Sequence, residues 1–152
     1  MFQRALPSFE LVVNGLRDNG YIGHITCGGV TPTLSYPYIL DRLGNKIDSV
    51  VLGEGEEILT QLTNKVIAKQ NWRDLPGIAY QEGGVQVVNR PMDVIDLDSL
   101  PFASRDYLDY CLGKTNYATL MGSRGCYGQC TFCSNYSFEN NKGGPRWRGR
   151  TP

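Results

Sequence analysis

Three of the five cysteines in this 152-residue chain fall in one short run, Cys126-Tyr127-Gly128-Gln129-Cys130-Thr131-Phe132-Cys133. The spacing is C-x-x-x-C-x-x-C, with an aromatic residue directly before the last thiol. Three thiols this close cannot all pair with one another, and the chain has no equal cluster for them to pair with. They can converge on one metal centre. Three thiolates on an iron–sulfur cube bind three irons and leave the fourth open, as a reactive metal site keeps an open position where a structural one is closed. A structural zinc site is the rival reading. It needs a fourth ligand, from Cys111, Cys27 or the single histidine, His24. An electron-transfer iron–sulfur module is a second rival, and would normally carry a fourth cysteine nearby. A disulfide framework fits poorly with an odd cysteine count and no apolar leader.

Other residues could also do chemistry. Cys27-Gly28-Gly29 and Gly53-Glu54-Gly55-Glu56-Glu57 each follow an apolar run, and glycine at a strand end lets a backbone approach a ligand closely. The plainer account makes both of them strand-to-helix turns. Glu54, Glu56 and Glu57 would then favour a helix N-terminus by about 0.3–1 kcal/mol each. Asp93, Asp96 and Asp98 alternate with apolar residues, which reads as a half-buried extended segment rather than a metal site. Lys142, Arg146, Trp147, Arg148 and Arg150 form a basic, aromatic-bearing tail. Such a set suits phosphates and stacking, but a local structural role is the simpler expectation.

The elements that must position these residues alternate in type. Ser8 is the expected N-cap of a helix over 9–18, with Phe9, Val12, Val13 and Leu16 on one face and Gly20 as its stop. Strands are expected over Tyr21–Cys27 and Ile47–Leu52. Helices are expected over Tyr36–Leu43 and in a third segment opened by Gly53-Glu54-Gly55-Glu56-Glu57, where Ile58, Leu62 and Val66 recur every fourth residue. Leu75–Val88 reads as a hairpin about Glu82-Gly83-Gly84, and Asn89–Pro101 as a linker. Tyr117–Met121 reads as a strand broken by Gly122–Gly125, which would set the cysteine loop at a strand's C-terminal end. A polar loop over Ser137–Gly144 and a loop with helix N-cap over Trp147–Pro152 follow.

In this context the run Arg124-Gly125-Cys126 through Thr131-Phe132-Cys133-Ser134 resembles the radical S-adenosylmethionine enzymes. The glycine pairs, hairpin, linker and cysteine loop, spanning about residues 22–152, resemble the subgroup with a cobalamin-binding domain. The resemblance implies that Cys126, Cys130 and Cys133 ligate a 4Fe-4S cluster whose open iron binds S-adenosylmethionine. Phe132 would lie near its adenine. The cluster, once reduced, would cleave that cofactor to a 5′-deoxyadenosyl radical. It further implies that Gly28, Gly29, Gly53 and Gly55 border the nucleotide tail of cobalamin, and that a flavodoxin or ferredoxin supplies the electron. Methyl transfer or a radical rearrangement on a small-molecule substrate is the chemistry implied. The early Asp-x-His-x-x-Gly loop of that subgroup has no counterpart here, since His24 falls in an expected strand.

The expected fold class is α/β. Residues 1–72 would be the C-terminal part of a Rossmann-like cobalamin-binding domain, 73–115 a hairpin and linker, and 116–152 the start of a (β/α) barrel with the cluster loop. Two strands before residue 70 are few for a doubly wound domain, so the chain is expected to be a fragment across a domain junction, inactive alone. Cys27 and Cys111 are expected to be buried bystanders. With 15 basic and 15 acidic residues, charge argues for neither nucleic acid nor membrane. The apolar runs are too short to span a bilayer, and Met1–Arg4 lacks a signal sequence's apolar core. A cytoplasmic setting is the default expectation.

Overall fold

The computed structural model describes residues 5–90, 94–140 and 147–151. Helix α1, Leu6–Asp18, starts ahead of Ser8 because Pro7 suits a first turn, where its missing N–H has no partner to lose. Of the expected face, Val13 is buried and Phe9 half-buried, while Val12 and Leu16 stay exposed. Strand β1 is only Thr26–Gly28. The expected start at Tyr21 fails because side chains take over its backbone. Arg17 donates to the carbonyls of Tyr21 and Gly23, and Asp48 accepts from the N–H of Ile25. His24 therefore lies just before the strand.

Helix α2, Val30–Leu43, follows β1 at once and reaches well upstream of the expected Tyr36. It bends at Ser35, where Pro37 supplies no N–H and its ring crowds the carbonyl of Thr33. Strand β2, Ser49–Val51, runs parallel to β1 in the register Thr26↔Ser49, Cys27↔Val50 and Gly28↔Val51. Helix α3, Gly55–Ile67, buries Ile58 and Leu62 as its spacing demands. Strands β3, Ile78–Glu82, and β4, Val85–Val88, form the expected hairpin, with Gly83 and Gly84 at positive φ in a two-residue turn. The hairpin joins the sheet through antiparallel pairing of β3 with β2, which gives the order β1-β2-β3-β4.

Side-chain alternation along these strands divides the core in two. Cys27, Val50 and Ala79 pack beneath α1 and α2 with Val13, Ile39, Leu40 and Leu43. Val51, Ile78 and Tyr80 pack beneath α3 with Ile58 and Leu62. Each such aliphatic side chain contributes about 1.5–3 kcal/mol by leaving water, so the sheet is held from both faces.

Residues 94–151 depart further from expectation. Helix α4 is Leu108–Thr115. Tyr117–Met121 is not a strand. Tyr117, Leu120 and Met121 are exposed, and the segment has no ladder partner among the described residues. The strand lies instead at β5, Ser123–Gly125, the stretch expected to break one, since it has a partner in β6, Trp147–Gly149. That antiparallel ribbon takes the place of the loop expected at Trp147. Helix α5, Ser134–Asn140, replaces the start of the expected polar loop and packs on α2. Pro91, Asp93, Lys142 and Arg146 lie outside the described residues, as do Met1–Arg4. Among the described residues no helix is long and apolar enough to cross a membrane.

Candidate metal centre

The cysteine loop leaves β5 directly. Cys126 and Cys130 are exposed and Cys133 is half-buried. The backbone N–H of Gly128 donates to the Cys126 sulfur at 3.3 Å. A Cβ built on Gly128 would stand 3.4 Å from the Cys126 sulfur and 3.6 Å from the Cys130 sulfur. Both thiols thus face one small space that the absent side chain leaves open. The Cys133 N–H donates to the Cys130 carbonyl at 3.1 Å, closing a turn that leads into α5. Among the described residues no three His, Cys, Asp or Glu side chains close on one ion. A cluster asks for less, since its thiolates bind different irons. Two of the three expected ligands are therefore brought together, on a loop open to an incoming group.

The loop is braced from both strands of the ribbon. Tyr127 stacks on Trp147, with ring centroids 5.1 Å apart and planes 20° from parallel. Arg124 and Arg148 stand directly opposite each other. Like charges so placed oppose pairing, and a carboxylate from the first sheet resolves the conflict. Glu54, on the loop between β2 and α3, accepts from Arg124 at 3.1 Å and from Arg148 at 2.5 Å through the same oxygen, Oε1. Its Oε2 accepts from Arg148 at 3.2 Å. The side chains of Glu54 and Arg148 are only 7% and 10% exposed. Arg124 also pairs with Glu56, whose hydrogen bond is the first cause holding its pKa above the ordinary arginine value. Arg148 donates to the Ile95 carbonyl at 2.6 Å as well.

Among the described residues of the tail, Arg150 is spent internally too. Arg150 donates to the carbonyls of Leu100 and Pro101 and lies over the ring of Phe102. Asp98 accepts from the N–H and hydroxyl of Thr151, and Asp96 caps the turn at Asp98, so each has a structural role. Phe132, expected near adenine, is 91% exposed.

The glycines sit where two strands end. Gly28 is packed, since a Cβ there would meet the Val51 Cβ at 3.2 Å, whereas Gly53 faces open space. Thr33 ties the two turns together, donating to the Gly29 carbonyl and accepting from the Gly53 N–H. Of the expected bystanders, Cys27 is in the core, where burial pushes its thiol up to about 12. Cys111 is exposed on α4, contrary to expectation, because no part of that short helix is buried. His24 Nε2 is 2.8 Å from the Ser49 hydroxyl.

No family model matches the chain. It is 32% identical over 109 residues to an uncharacterized methyltransferase of Pyrococcus horikoshii, covering 69% of this chain and 23% of that protein. It is 30% identical over 140 residues to the anaerobic magnesium-protoporphyrin IX monomethyl ester cyclase of Cereibacter sphaeroides, covering 86% of this chain and 21% of that protein. A solved structure superposes with a TM-score of 0.66 at 27% identity, over 86% of this chain and 18% of its own. It is OxsB, a cobalamin-dependent S-adenosylmethionine radical enzyme with aqua-cobalamin and S-adenosylmethionine bound. The chain is similar to cobalamin-dependent radical S-adenosylmethionine enzymes. It spans about a fifth of the length of these relatives.

Proposed function

We propose that Cys126, Cys130 and Cys133 hold a 4Fe-4S cluster of the radical S-adenosylmethionine type. The observation that carries this reading is the convergence of the Cys126 and Cys130 sulfurs over the bare backbone of Gly128. Similarity to cobalamin-dependent radical enzymes supports it. Bound and reduced, such a cluster supplies the electron that cleaves S-adenosylmethionine to a 5′-deoxyadenosyl radical. The chain's own part is placement. Gly128 keeps the space between two thiols clear and offers an N–H to the Cys126 sulfur. Phe132 presents an apolar face beside Cys133, suited to an adenine ring. Cobalamin along the Gly53 edge is the second cofactor we propose for the complete protein, with methyl transfer or a radical rearrangement as its chemistry. At Gly53 a Cβ would meet nothing within 4 Å, which leaves that turn open to a ligand.

The test is anaerobic reconstitution with iron(II) and sulfide, then electron paramagnetic resonance after reduction, with and without S-adenosylmethionine. A cubane signal that changes with the cofactor is expected. Cys126→Ser, Cys130→Ser and Cys133→Ser should each lose it, and Cys111→Ser should keep it. Stoichiometric zinc with no iron taken up would overturn the reading.

A further inference from the structure

Glu54 was expected only to favour the start of α3. Its surroundings give it a larger task. Its partners lie 70 and 94 residues away along the chain, on the two strands that flank the cysteine loop. Arg124 is two residues before Cys126. Arg148 is next to Trp147, whose ring stacks on Tyr127 immediately after Cys126. A single oxygen, Glu54 Oε1, takes one hydrogen bond from each arginine. Without it Arg124 keeps Glu56, but the nearly buried Arg148 loses the carboxylate that takes two of its hydrogen bonds. Removing one side of a buried ion pair is strongly destabilising.

We propose that Glu54 is a positioning residue for the cysteine loop: one carboxylate of the first sheet fixes the rung of the ribbon from which Cys126 departs. A ligand seated on the Gly53–Gly55 turn and a cluster seated on the cysteines would then share a mechanical link. The consequence for metal loading rests on the cluster reading, while the placement itself can be measured in the metal-free chain.

The test compares the full 152-residue chain with Glu54→Gln, reduced and metal-free, by hydrogen exchange and mass spectrometry. Exchange over residues 122–133 should rise by about tenfold or more while β1 to β4 stay within about twofold, because local opening is separable from global unfolding. Unchanged exchange over 122–133, or an equal rise throughout the first sheet, overturns the proposal. Should Glu54→Gln not fold, Arg124→Lys keeps the charge but loses the guanidinium fork, and should raise exchange over the same residues. Iron uptake is read on the same samples. A wild type that takes no iron while Glu54→Gln still frees the loop sinks the cluster reading alone. A wild type that loads iron while exchange in Glu54→Gln is unchanged sinks the positioning role alone.

Discussion

At the scale of residues, the five cysteines separate by surroundings. Cys27 lies under two helices with its thiol pushed up to about 12, so near neutral pH it offers almost no thiolate to an alkylating agent. Iodoacetamide at mildly alkaline pH should label Cys111, Cys126 and Cys130 rapidly and spare Cys27 until the chain is unfolded. Peptide mass spectrometry reads this site by site. Gly128 gives a second prediction. Valine there would push methyl groups between two sulfurs that an alanine Cβ would merely touch. Gly128→Val should lower iron uptake severalfold, read as iron content after reconstitution, while Gly128→Ala, whose Cβ would stand 3.4 Å from the Cys126 sulfur, should lower it less. The cysteines were legible because chemistry and spacing announce them. Glu54 was not, because a helix-start carboxylate looks the same whether it faces solvent or two arginines beyond residue 120.

Among the elements, those whose pattern carries its own burial came through. Helix α3 shows its face every fourth residue, and the hairpin shows alternation about a Gly-Gly turn. Tyr117–Met121 had the composition of a strand but no ladder neighbour among the described residues, and composition cannot supply one. Helix α2 extended upstream because prolines that look like breakers fit a first turn and a bend. Its Thr33 is the hinge between the two glycine turns, and nothing in its immediate sequence marks it. Thr33→Val should cost about 1–3 kcal/mol by leaving the Gly53 N–H without its acceptor, and Thr33→Ser should restore most of that loss. Denaturant unfolding of the three proteins checks both.

For the whole molecule, α/β architecture was readable from the alternation of periods, while the joining of hairpin to sheet was not, since it depends on pairing across some thirty residues. One prediction belongs to the molecule as a unit. Burial lowers the pKa of His24 below 6.5, assisted by Arg17 and Arg73 and opposed by Asp48. The native state thus prefers the neutral ring, and the unfolded chain binds a proton first as pH falls. Stability should be full above about pH 6.5 and decline below it, through the lowered native pKa. Thermal melts across pH should show that decline, and His24→Gln should flatten it.

The pairing of Arg124 and Arg148 through Glu54 also has a consequence in time. A two-stranded ribbon is marginal by itself, and this one carries facing positive charges until a carboxylate far back in the chain arrives. The first sheet is therefore expected to set before the ribbon closes. The two tryptophans stand one in each part: Trp72 rings against His24 and Tyr80, and Trp147 against Tyr127. In refolding, fluorescence from Trp72 in a Trp147→Phe variant should reach its native value first. The Trp147 signal in a Trp72→Phe variant should follow, and should lag further in Glu54→Gln. During synthesis the thiols would then be gathered only after the part of the chain that holds them steady has been made.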